Sequence, residues 1–275
     1  LDFRGAFPDP LHPRIAPGDQ VVQHQVLEVR TCGRRGAEVR RLLIDCGFGI
    51  RQLQERLSAA GLALDQIDAI FITHEHSDHV GCARALALRQ RIPVWMSRGT
   101  HAALEAPDFD GLLRLASDGT AIDLGSFEAR PFTVPHDARE PLQLRCSDGT
   151  AHLGVLTDLG HATAHVLQQL AGCHALLLEA NHDPQMLADS RYPAFLKRRV
   201  AGPQGHLANA AAADILRALR HPDLRQVVAA HLSARNNHPD LVRPLLASAL
   251  EWQPEDIGIA DPLHGTGWLT IGPPA

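Results

Sequence analysis

The chain has 275 residues, of which 45% are hydrophobic and 21% charged, and a net charge of −5. That composition supports a sizeable buried core and excludes an intrinsically disordered chain. The negative charge makes the whole molecule repel a polyanion, so a nucleic-acid substrate must be drawn in by a local patch. The five cysteines are odd in number and include no Cys-x-x-Cys pair, which argues against a disulfide framework and a cysteine zinc knuckle. No run approaches the ~18 apolar residues of a membrane span, and the first residues lack the charged-then-apolar order of a signal peptide. A reducing cytoplasm is the expected compartment, with no membrane partner.

In chain order, residues 1–25, with four prolines in the first twenty, read as an atypical and poorly ordered segment, and 26–275 as one domain. RLLIDCG (41–47) has the pattern of a buried strand closed by glycine; Ile50, Leu53 and Leu57 then recur at helical spacing until Gly61. AIFIT (69–73) is a second buried strand, VGCARALALRQ (80–90) a helix and PVWMS (93–97) a third strand. From residue 121 the strands crowd together (FEARPFTV, LQLRC, AHLGVLTD), with SDGT turns at 117–120 and 147–150. Alternation then resumes with helix 161–171, strand HALLLEA, helix 206–220, strand RQVVAAH, helix 239–250 and a last strand GWLTI. The predicted class is α/β, with two β-sheets face to face and helices on both outer sides.

FITHEHSDHVG (71–81) places His74, His76, Asp78 and His79 directly behind a buried strand. Ligand sites of open α/β layers gather at such carboxyl ends. A His-x-His step in extended chain sends both rings to one side, while Asp78 and His79 open the next helix and aim at a neighbouring point. That spacing suits two adjacent metal ions better than one. It does not fit the His-Glu-x-x-His zinc helix, because Asp78 stands four residues after His74. Glu75 and Ser77 alternate away from the ligand side and read as structural.

THEHSDH, with LLIDCG upstream, resembles the metallo-β-lactamase fold, an αββα sandwich of two mixed β-sheets. VPHDA, GVLTDLG, LLLEANHD, RYPAFLKRRV, GHLAN and AAHLSARNN, in this order, are similar to its YycJ/WalJ-type subgroup of exonucleases and phosphodiesterases. The resemblance implies that His74, His76 and His136 bind one divalent ion, that Asp78, His79 and His231 bind a second, and that Asp158 bridges them. Zinc or manganese suits such a set. It also implies metal-assisted cleavage of phosphodiesters, most directly 5′-to-3′ exonuclease action on DNA. Asp78 would orient the nucleophile or accept its proton, and His206 would protonate the leaving oxygen or simply cap the helix it opens. Asp45 reads as a carboxylate that fixes a ligand or a backbone turn; Asn181, His182 and Asn209 read as substrate contacts or supports.

Arg191, Lys197, Arg198 and Arg199, and the pairs Arg34/Arg35 and Arg40/Arg41, are the candidate phosphate-binding patches. With 8 Phe, 3 Trp and 1 Tyr, a base-stacking groove is not advertised. One departure from the subgroup lies in VLEVRTCGRRGAEVRR (26–41), where members usually have a glycine- and serine-rich turn ending in Gly-Asn. Two other readings use the same core. A glyoxalase-type thioester or lactone hydrolase would add a basic carboxy-terminal helical region, whereas only helix 239–250 and a strand follow His231. A non-catalytic regulator would be expected to have lost a ligand, and none is missing.

Overall fold

A computed structural model describes residues 2–4, 25–33, 36–261 and 265–271, with side chains described from residue 39 onward. In chain order the first half supplies β1 (Asp2–Arg4), β2 (Gln25–Gly33), β3 (Gly36–Ile44), α1 (Ile50–Ala59), β4 (Ala69–Phe71), α2 (Ser77–Val80), α3 (Ala83–Gln90), β5 (Val94–Ser97), α4 (Arg98–Ala103) and β6 (Leu113–Ala116). The second half supplies β7 (Ile122–Asp123), β8 (Glu128–Thr133), β9 (Leu142–Ser147), β10 (His152–Leu156), α5 (Ala164–Leu170), β11 (Ala175–Glu179), α6 (Pro184–Asp189), α7 (Ala194–Val200), α8 (Asn209–Leu219), β12 (Gln226–Ala230), α9 (Pro239–Leu250) and β13 (Ile257–Ile259). Strand β14 (Leu269–Thr270) returns to the first sheet, whose order is β14-β1-β2-β3-β4-β5-β6; the second runs β13-β12-β11-β10-β9-β8-β7.

Side-chain alternation explains why two sheets stack. In β3, Leu42 and Ile44 face the second sheet and Leu43 faces the helices; in β4, Ala69 and Phe71 face inward and Ile70 outward. Strand β12 does the same, with Val228 and Ala230 in the core between the sheets and Val227 and Ala229 against α8 and α9. Apolar residues on both faces are what a strand needs when it is covered on both sides. The predicted αββα arrangement of mixed sheets is therefore the observed one, with parallel ladders at β3-β4-β5-β6 and β10-β11-β12-β13 and antiparallel ones elsewhere.

Strand Asp2–Arg4 lies inside the segment expected to be poorly ordered, and it pairs with β2 and β14; residues 5–24 lie outside the described residues. The unusual stretch 26–41 falls largely within the β2–β3 hairpin, with Arg34 and Arg35 outside the described residues. The four cysteines with described side chains are free thiols. Among the described residues no helix is long and apolar enough to cross a membrane.

Several elements are shorter than their sequence patterns, and the three strands among them share one reason. Strands β3, β10 and β12 stop before Asp45, Asp158 and His231, which adopt left-handed backbone with φ of 61°, 52° and 58°. A non-glycine residue rarely takes this conformation, and here it turns the chain out of the ladder. The helix expected from 206 starts at Asn209, because His206 and Leu207 give their backbone N–H groups to Val200 O (2.8 Å) and Glu179 Oε2 (3.1 Å). The helix expected from 161 starts at Ala164, capped by Thr163. The helix expected over 80–90 is two helices, α2 and α3, broken at Gly81.

Gly81 has φ of 35°, and a methyl group there would collide with the backbone of Cys46 and Gly47. Only glycine lets the turn carrying Asp78 and His79 close against the loop after β3. Gly81→Ala is expected to cost roughly 1–3 kcal/mol or more of stability. Urea denaturation measures this, and an unchanged midpoint would show that the turn can open without penalty.

Candidate metal centre

The ladders set the positions. Because β10, β11 and β12 run parallel in register (Leu156 beside Leu178, Leu178 beside Ala229), their carboxyl ends are adjacent. These ends carry Asp158, Glu179 with Asn181, and His231. Opposite them, the end of β4 in the first sheet carries Thr73, His74 and His76, and α2 carries Asp78 and His79.

His74, His76 and His136 form one cluster of mutually close donor atoms, as the sequence reading has them. The His74 and His76 ring centroids are 4.5 Å apart, and His136 lies 4.9 Å from His74 and 5.1 Å from His76. The second predicted trio, Asp78, His79 and His231, is not a cluster in the same sense. His79 groups with His74 and Asp158, whereas His231 groups with Asp158, Glu179 and His206. Asp158 belongs to both groups: Oδ2 is 3.5 Å from His79 Nε2 and Oδ1 is 3.0 Å from His231 Nδ1. Asp78 Oδ2 lies 3.6 Å from His79 Nε2.

The rings are held from behind. Asp45, buried at the end of β3, accepts hydrogen bonds from Thr73 N (2.9 Å), from Thr73 Oγ1 and from His79 Nδ1 (2.8 Å). Thr73 Oγ1 is 3.0 Å from His74 Nδ1, and His136 Nδ1 donates to Gly205 O at 3.1 Å. With Nδ1 engaged in each case, Nε2 of His74, His79 and His136 is left for the common space.

Three buried atoms there have no hydrogen-bond partner: His136 Nε2, Asp78 Oδ1 and Asp158 Oδ2. Buried polar atoms are seldom left so. Imidazole nitrogens and carboxylate oxygens are ligands for zinc or manganese, so the donor set fits divalent ions. His74, His76 and His136 are one group of donors that could hold an ion, and Asp158 belongs to two more, with His74 and His79 and with Glu179, His206 and His231.

Electrostatics agree. Burial opposes the His79 cation, but the charges of Asp158 and Asp45 outweigh it and lift its pKa to about 9. His231 is raised well above the usual histidine value in the same way, against burial, chiefly by Asp158. Burial and the neighbouring His79 charge push His74 well down. Asp158 is held well below the carboxylate range despite its burial, because His231 and His79 favour its anion.

His206 lies in the site, Nδ1 2.8 Å from Glu179 Oε1 and 3.7 Å from Asp158 Oδ1. Asn181 donates to His231 O at 3.0 Å and also lines the cavity. His182 is buried, and its backbone O accepts Asn209 N at 2.9 Å. Asn209 exchanges 2.8 Å amide hydrogen bonds with Asn237, which holds Ala180 O, so it braces the end of β11 from behind. Neither His182 nor Asn209 lines the cavity. Arg40 is elsewhere, paired with Asp68 at 3.2 Å.

The sequence reading gave no role to Glu179 and Asp137. Glu179 is fully buried, lies 2.9 Å from His231 Nδ1, and accepts from Leu159 N and Leu207 N, both at 3.1 Å. Burial opposes its ionisation, but His206 and His231 bring its pKa down to about 2. The available signal was an acid closing an otherwise apolar strand, the same address as Asp158 and His231.

The family model described as "Beta-lactamase superfamily domain" matches residues 40–232. This chain belongs to the beta-lactamase superfamily. Within it, the chain is 30% identical over 236 residues to exodeoxyribonuclease YycJ of Bacillus anthracis, covering 84% of this chain and 89% of that protein. It is 26% identical over 239 residues to exodeoxyribonuclease WalJ of Streptococcus pneumoniae, covering 85% and 89%. The metallo-beta-lactamase fold protein YhfI from Bacillus subtilis superposes with a TM-score of 0.67 at 13% identity, over 96% of this chain and 98% of that one, a likeness of fold.

Two outcomes are expected for this superfamily site. Since His79 carries its proton up to about pH 9, ion binding at neutral pH displaces it, and apparent affinity rises as pH climbs toward that value. Calorimetry in buffers of different ionisation enthalpy measures the released protons, and a pH-independent affinity would show His79 already neutral. Asp45→Asn, which misorients His79, is expected to weaken metal binding about 10- to 100-fold in chelator competition.

Proposed function

We propose that this chain uses two divalent ions, zinc or manganese, to hydrolyse phosphodiester bonds in DNA from the 5′ end. The carrying observation is the convergence of His74, His76, Asp78, His79, His136, Asp158 and His231 with three buried, unpartnered ligand atoms among them. A ligand set of nitrogens and oxygens, with an aspartate between the two groups, favours phosphoester chemistry. The names of the YycJ and WalJ relatives, both exodeoxyribonucleases, support DNA as the substrate.

Two ions bound there would supply acidified water and Lewis acidity toward the phosphoryl oxygens. The chain's own groups do the rest. Asp78 presents an unpartnered Oδ1 beside the cavity, placed to orient the attacking water and accept its proton. Glu179 holds His206 by Nδ1, which leaves Nε2 available to protonate the departing oxygen. Asp45, through Thr73 and His79, keeps the first-sheet ligands in place.

The test is one assay of protein loaded with manganese or zinc on 5′-labelled duplex DNA, RNA of the same sequence, bis(4-nitrophenyl) phosphate and a thioester. Processive loss of the 5′ label from DNA is expected; a chain that leaves both DNA and the aryl phosphate intact would overturn the reading. His206→Ala should lower kcat on DNA by about 10²- to 10⁴-fold. On the aryl ester, whose leaving group needs no proton, the loss should be much smaller. An equal loss on both would remove His206 as the acid.

A further inference from the structure

One wall of the cavity is not explained by metal chemistry. Phe195 is 65% exposed, the most exposed large hydrophobic side chain among the described residues, and it lines the same cavity as Asp78, Asp158 and His206. It stands on α7, a helix with no buried residue, and the chain's single tyrosine, Tyr192, lines the wall beside it. Two aromatic rings at the lip of a polar cavity are available to stack on a ligand.

The third member of the wall is charged. Arg199 lies at the carboxyl end of the same helix, after Lys197 and Arg198, in a chain whose net charge is −5. Its Nε donates to Asp137 Oδ2 at 2.6 Å. The other oxygen of Asp137 is 3.4 Å from His136 Nε2 and 3.7 Å from His76 Nε2. One carboxylate thus ties the guanidinium to two candidate metal ligands, and the terminal nitrogens remain for an anion. The wall is also fixed in place: a methyl group on Gly205 would collide with Arg199 O and Val200 O, and Gly205 O holds the His136 ring.

We propose that this wall seats the single unpaired terminal nucleotide of a DNA strand, with its base stacked on Phe195 and Tyr192 and its phosphate on Arg199. The proposal rests on the phosphodiesterase reading and adds what the cavity selects. Base stacking is indifferent to sequence, as an exonuclease requires. The cavity holds about 370 Å³, near the lower end of the roughly 300–1,000 Å³ common for ligand pockets. A terminal base that leaves its partner to stack on these rings carries an unpairing cost, which is smallest when the terminal pair is mismatched.

The experiment uses metal-loaded full chain on two 5′-labelled duplexes that differ only in a matched or mismatched terminal pair. Wild type is expected to cleave the mismatched end at least about fivefold more efficiently. Phe195→Ala should raise KM about tenfold on both duplexes, with Phe195→Trp restoring it. Arg199→Ala should raise KM and flatten its salt dependence. Phe195 is exposed on a surface helix, so its replacement does not endanger folding, which circular dichroism verifies. An active enzyme that shows no mismatch preference and an unchanged KM in Phe195→Ala overturns this proposal alone. A wild type inactive on DNA and on the aryl phosphate brings down the phosphodiesterase reading first.

Discussion

Four buried carboxylates, Asp45, Asp78, Asp158 and Glu179, converge at the ends of two facing sheets. Anions withdrawn from water in such number repel one another and lose hydration, and each demands a compensating positive charge or a donated hydrogen bond. Without ions, histidine protons carry much of that load, which is why His79 and His231 stay charged beside Asp158. A divalent ion meets the same demand with a larger charge and no proton. The acid-rich centre is therefore tolerable only because the imidazoles stand among the carboxylates, and much of the surrounding backbone serves to keep them there.

The frame that enforces this spacing is apolar. Strands buried on both faces give a sheet with little freedom to shift register, and their ends become fixed points. From these points three side chains are aimed by a left-handed residue at Asp45, Asp158 and His231, each immediately or shortly after its strand. The unfavourable backbone conformation is sustained by hydrogen bonds close by, such as Thr73 to Asp45 and Asn181 to His231 O. Local strain and buried charge are thus located together, in the part of the molecule where packing is least able to relax.

Much of this was legible in the amino acids. Runs such as LLI and LLLE announced strands covered on both sides, and helix 239–250 matches Pro239–Leu250, since Pro239 starts it and the helical pattern ends at Leu250. The histidine turn could be named as a candidate because it follows an apolar run, while His136, Asp158 and His231 were supplied by the family resemblance. The strand ends were less legible, because hydrophobic patterning records burial and is silent about a left-handed turn. Helices α4, α6 and α7 are too short to carry a periodic signal. Glu179 escaped because it forms the last rung of a ladder and its importance depends on His206 and His231, distant in sequence. The grouping also escaped: spacing along one turn cannot show that His79 shares Asp158 with His74 while His231 lies between Asp158 and Glu179.

The division of the ligands between the two sheets also has a meaning in time. A ribosome delivers the chain from its amino end, so His74, His76, Asp78 and His79 emerge while β10, β11 and β12 do not yet exist. Those four can capture an ion only loosely, since His136, Asp158 and His231 arrive later, and the last of them follows strand Gln226–Ala230. The centre is therefore complete only after strand Gln226–Ala230 has been made. A chain that lacks the last parallel strands carries the histidine turn without Asp158, Glu179 and His231 opposite it.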